Sequence, residues 1–98
     1  PMGLPTINGE HVQALTPGAT QTVTVDASST TSGSTIGPVA RLVADVACHV
    51  AFGASPTAGT DDMYLPANTV QLVAVPNGTR VAVIRASSDG ILWVTDML

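Results

Sequence analysis

The sequence predicts an all-β domain, a small antiparallel β-sandwich or jelly-roll-like barrel carrying an extended amino-terminal arm. Three observations carry that expectation. Hydrophobicity recurs with period two wherever the chain is regular, most strictly in Thr20-Gln21-Thr22-Val23-Thr24-Val25-Asp26. Turn-forming clusters punctuate the chain at short intervals, at Gly53, Pro76-Asn77-Gly78 and Ser87-Ser88-Asp89-Gly90. A chain of 98 residues, 45% hydrophobic and only 10% charged, suits one folded domain and argues against both a two-domain protein and intrinsic disorder.

Taken in order, residues 1–18 place Leu4, Ile7, Val12 and Leu15 among Pro5, Gly9, Pro17 and Gly18 with no helical period. They read as an arm, with a small turn at Asn8-Gly9, whose four apolar side chains need a neighbouring surface to cover them. Pro1 precedes Met2 and reads as a non-native addition. Residues 19–98 form the single domain. In the strand 20–26, Val23 and Val25 are expected to face the core while Thr22, Thr24 and Asp26 face water. Residues 27–38 are small and polar, as in a surface loop.

Residues 39–52 admit two readings. Gly37-Pro38 could open a helix that the alanines would support. Against it, the even positions Leu42, Ala44, Val46, Cys48, Val50 and Phe52 form one apolar file, and valine is frequent. The pattern favours one long bent strand or two consecutive ones, stopped at Gly53. Residues 54–68 read as a loop contributing a short edge strand at Met63-Tyr64-Leu65, since Pro66 cannot donate to a central ladder. The last third, 70–75, 79–85 and 91–95, reads as three strands joined by two tight turns in an antiparallel meander.

Composition bounds the function. Phe52, Tyr64 and Trp93 are the only aromatic residues, so the core must come from Val, Leu, Ile and Ala. Seven acids outnumber three arginines and there is no lysine, which argues against a nucleic-acid partner, because neutralising phosphates needs a basic patch. No basic membrane-surface motif is present, and no apolar run approaches the ~20 residues of a spanning helix. The chain reads as soluble and unprocessed. Cys48 is the single cysteine, so an intramolecular disulfide scaffold is excluded.

The chemistry-bearing residues are few. Cys48-His49 offers a thiol beside an imidazole, but neighbours on a strand point to opposite faces, so a buried structural cysteine and a surface histidine are expected. Asp61-Asp62 could give two oxygen ligands to calcium, yet the spaced acids of a calcium loop are missing and loop solvation fits as well. There is no Gly-x-Ser-x-Gly elbow or recognisable triad, and a phosphate-binding Gly-Lys loop is impossible without lysine. Two histidines are too few for a cupin-like metal site. Tyr64 and Trp93 could stack on sugar rings, but Trp93 within a regular strand points rather to core or subunit interface. No catalytic, cofactor-binding or metal-ligating residue is assigned, and no cofactor is expected.

The segments Cys48-His49-Val50-Ala51-Phe52-Gly53, Ser55-Pro56, Asp62-Met63-Tyr64-Leu65-Pro66-Ala67, Val75-Pro76-Asn77-Gly78, Val81-Ala82-Val83-Ile84-Arg85 and Gly90-Ile91-Leu92-Trp93-Val94-Thr95 follow one another in an order that resembles a group of small bacteriophage virion proteins. The resemblance spans about residues 47–95. It implies a β-sandwich that coats or completes the particle, a head decoration or cement protein without enzymatic activity. The expected partners are copies of itself, with a trimer favoured, and a major capsid or other virion protein. The expected location is the virion, assembled in the host cytoplasm. Leu4, Ile7, Val12, Leu15, Tyr64 and Trp93 are the expected interface residues. A carbohydrate-binding or adhesion module is the alternative, with a neck or tail accessory protein behind it.

Overall fold

A computed structural model of the chain describes residues 6–7, 10–11 and 17–97, with side chains over 17–97. Two short strands, β1 (Thr6–Ile7) and β2 (Glu10–His11), pair antiparallel. The expected turn at Asn8-Gly9 between them lies outside the described residues, as do the side chains of Leu4, Ile7, Val12 and Leu15. The domain itself holds eight strands. They are β3 (Pro17–Val25), β4 (Thr30–Thr31), β5 (Val39–Ala44), β6 (Cys48–Gly53), β7 (Met63–Leu65), β8 (Gln71–Ala74), β9 (Arg80–Arg85) and β10 (Gly90–Met97). No helix occurs among the described residues, so none is long and apolar enough to cross a membrane.

Two four-stranded antiparallel sheets, ordered β3-β10-β5-β8 and β4-β9-β6-β7, pack face to face. The pairing is nested: β6 with β7, β5 with β8, β4 with β9 and β3 with β10. That order defines a jelly roll, a long hairpin rolled up into a double sheet. The all-β sandwich expectation holds, and so does the short edge strand at Met63–Leu65.

The expected meander at the carboxy-terminal third does not form. β8 and β10 belong to one sheet and β9 to the other. The turn chemistry was legible, with Gly78 at φ 87° and Thr79 donating to the Pro76 carbonyl through its amide at 3.3 Å and its hydroxyl at 2.6 Å. Such turns reverse the chain without specifying which strand it then pairs with, and here each crosses the sandwich. Residues 39–52 likewise resolve into two strands on different sheets, joined by a corner at residues 45–47. The even file survives the corner: Leu42, Ala44, Cys48 and Val50 are buried, while Val46 in the corner and Phe52 near the end of β6 are partly buried against the core.

The core is aliphatic. Val23, Val25, Leu42, Leu92 and Val94 of one sheet meet Cys48, Val50, Leu65, Val81 and Val83 of the other, with Phe52 only partly buried against them. The 27–38 segment does more than expected of a loop. It supplies β4, sinks Ile36 into the core and bonds Ser32 to Val81 in both directions, Ser32 N donating to Val81 O at 2.7 Å and Val81 N to Ser32 Oγ at 3.1 Å. The 54–62 loop folds back over the second sheet: Ala58 N donates to Ser29 Oγ at 2.8 Å, Thr31 Oγ1 to Pro56 O at 3.3 Å. Beneath it Ala82, though on the outer face, is fully buried.

Candidate functional site

The outer face of the β3-β10-β5-β8 sheet follows from register. Leu92 and Val94 point inward, so Ile91, Trp93, Thr95 and Met97 point outward. Trp93 lies opposite Thr22 on β3 and Val43 on β5, and Met97 opposite Pro17 and Val39. Arg41 stands opposite Thr95 on one side and Leu72 on the other. The result is a surface with Trp93 near its middle between Thr22 and Val43, Ile91 beside it on β10, and Val39, Met97 and Leu72 farther along the sheet. Ile91 is 40% and Leu72 52% exposed. Its polar part is the exposed Thr22 and Thr24 of β3, the Thr20 and Thr95 hydroxyls, 2.8 Å apart, and Arg41.

A sheet that meets water on one side normally alternates apolar and polar residues, whereas strands covered on both sides read apolar at both parities. β5 and β10, apolar at both parities but for Arg41, Thr95 and Asp96, stand nearer the second kind. Trp93 was the one residue of this face expected at an interface; Val39, Val43, Ile91, Leu72 and Met97 join it only through the pairing of β10, β5 and β8, strands distant in sequence. The run Ile91-Leu92-Trp93-Val94 carried the signal.

Tyr64 stands elsewhere. It is 54% exposed on β7, opposite His49, with the two rings 5.4 Å apart at 57°, on the outer face of the other sheet. Two packed sheets of ~10 Å separation lie between the surfaces that carry Tyr64 and Trp93, so the two aromatics form no common stacking platform.

The remaining candidates are structural. Cys48 is buried and its thiol is pushed up to about 11 by desolvation, away from reactivity, while His49 faces outward with Nδ1 3.1 Å from the Asp62 carbonyl. The Asp62 carboxylate accepts the Gly59 amide at 2.7 Å, closing the 59–62 turn. Among the described residues no three His, Cys, Asp or Glu side chains converge as metal ligands. A shallow cleft of about 360 Å³ lies between Phe52-Gly53-Ala54 and the 75–79 turn, and no titratable side chain lines it. No protein family, characterised protein or solved structure matches the chain.

Proposed function

We propose that the chain is a non-enzymatic structural protein of a bacteriophage particle, which associates with copies of itself and docks on the capsid surface to coat and stabilise it. The observation that carries the reading is the outer face around Trp93, where β5 and β10 carry Val39, Val43, Ile91, Trp93 and Met97 beside only Arg41 and Thr95. A jelly roll by itself assigns nothing, since coat proteins, lectins and cupins share it. The bacteriophage element rests on the resemblance over residues 47–95. With Tyr64 and Trp93 on different faces, the carbohydrate-binding alternative loses its paired aromatic platform.

The test is cosedimentation of the purified chain with phage particles whose genome encodes it, together with the neighbouring genes. Heads should carry the chain down, Trp93→Ala should weaken that binding at least tenfold, and capsid or portal genes should flank its own. Retention by tails alone would move the partner to the neck or tail. Binding on a glycan array with no binding to particles would replace the reading by the carbohydrate one.

A further inference from the structure

We propose that β8 is the strand through which two copies of the chain join, edge to edge and antiparallel, extending the β3-β10-β5-β8 sheet across a two-fold axis. The proposal deepens the self-association part of the reading above and is independent of what the assembled protein coats.

The four sheet edges are unequal. β4 is two residues long and lies under the 54–62 loop, and β7 has three residues. Along β3, the Gln21 side chain exchanges hydrogen bonds with the Ser34 backbone at 3.0 and 3.1 Å, which lays a loop against that edge. β8 is different. Val75 donates its amide to Pro38 O at 2.8 Å, and Ala74 lies opposite Val39, which fixes the phase of the ladder. Val73 therefore bonds to β5 while the backbone groups of Leu72 and Ala74 point away from it. No described residue donates to or accepts from the Ala74 backbone on that side. The Leu72 carbonyl accepts only the exposed Gln71 side-chain amide, at 3.2 Å.

Protein edges of this kind are normally blunted by charge, proline or a covering loop. From Met63 to Thr79 the chain has no charged residue, the acids stopping at Asp62 and the next cation being Arg80. The same stretch holds Met63, Tyr64, Val70 and Leu72, four of the five exposed large hydrophobics among the described residues. The edge is self-complementary, since antiparallel pairing with a second copy joins the same outward Leu72 and Ala74 backbone groups on both chains. The chain carries a net charge of −4, so a second copy is repelled from most of the surface and least from this uncharged edge. The nearest cation, Arg41, is one strand in from β8, so the two copies' Arg41 backbones would sit roughly 14 Å or more apart, beyond the ~8–10 Å screening length. Centring the axis on Val73 sets Leu72 of each copy opposite Ala74 of the other. That register closes about four backbone hydrogen bonds and brings the two Leu72 side chains onto one face. It is isologous and yields a dimer, whereas the trimer favoured by the resemblance needs a contact between unlike surfaces.

Sedimentation equilibrium of the full chain tests this, with amide exchange as second readout. The expected mass is twice 9.9 kDa at micromolar concentration. Ala74→Pro, which removes an amide that the β5 ladder does not use, and Leu72→Lys, at an exposed site, should each raise the dimer dissociation constant at least tenfold. Thr24→Lys on the β3 edge should leave it unchanged. The Leu72 and Ala74 amides should be protected in the dimer and lose protection on dilution. A trimer, or an assembly indifferent to both β8 variants, overturns the edge pairing while leaving particle coating to the cosedimentation result. A monomer in which those two amides stay protected overturns it as well, because part of the same chain then covers the edge.

Discussion

Leu92 and Trp93 are adjacent in sequence yet serve opposite sides of one sheet, and their substitutions should separate accordingly. Leu92 is fully buried, so Leu92→Ala should cost about 2–5 kcal/mol by lost transfer energy and an unfilled cavity, read as a lowered urea midpoint. Trp93→Ala should cost the isolated domain no more than about half of that, while weakening particle binding. Equal effects on stability would mean that the outer face is already sealed within the domain. Cys48 gives a second residue-scale test. Burial raises its thiol from the ordinary 9.0 to about 11, so the folded state holds the proton more tightly than the unfolded one. Stability from this group is complete below pH 9 and falls as pH rises from 9 to 11, by roughly 2–3 kcal/mol. Cys48→Ala should flatten that part of the profile, and thiol labelling of the native protein should be slow until denaturant is added.

At the scale of elements, the β5–β6 corner is held by Asp45. Its amide donates to Ile91 O at 3.2 Å and its Oδ1 accepts the Ile91 amide at 2.8 Å, clamping the end of β5 to the start of β10. Gly90 leaves room for this clamp, since a Cβ there would collide with Asp45 Oδ1 and with both Val46 methyl carbons. Gly90→Ala should cost about 1–3 kcal/mol by overpacking, and Asp45→Ala about 1 kcal/mol through the lost hydrogen bond. Thermal melts of the two variants and of the double variant check this, the double variant falling short of the sum because both act on one clamp. The corner also marks what sequence could reveal. Period two read correctly through 39–52 because one face meets the core whichever sheet the strand joins. Sheet membership is decided by partners distant in sequence, so Asn77-Gly78 and Asp89-Gly90 looked like hairpins within one sheet and turned out to be crossings between two. Likewise Ser29–Ser32 carried no strand pattern; β4 is fixed by Ser32–Val81 bonding across 49 positions. The candidate face was legible only at Trp93, since Val43 and Ile91 gain meaning from being its neighbours in space.

For the whole molecule, the few charges shape how it should attach. Docking through the Trp93 face relies on apolar contact, so particle binding should change less than about threefold between 50 and 300 mM salt, whereas a charge-driven contact would fall steeply. Removing residues 2–16 should leave the sandwich folded, because β3 starts at Pro17 and the core draws on residues 23–94. Circular dichroism of the shortened chain should still report strand without helix, and a collapse of that spectrum would show that the arm belongs to the domain's own core.

The nested order of pairing has a consequence for biosynthesis. Between β3 and β10 only β6 and β7 are partners adjacent in sequence, and β10, the last strand made, is bonded on both sides, to β3 and to β5. While residues 90–97 are still inside the ribosome, β3 has no partner at all and β5 has only β8. The nascent chain must therefore wait with its valine-rich strands exposed, and its folding once β10 has emerged should be slow, in the millisecond-to-second range of topologies dominated by distant contacts. Chains stalled with those eight residues in the exit tunnel should be digested rapidly by protease, and chains extended by a linker long enough to free them should resist it.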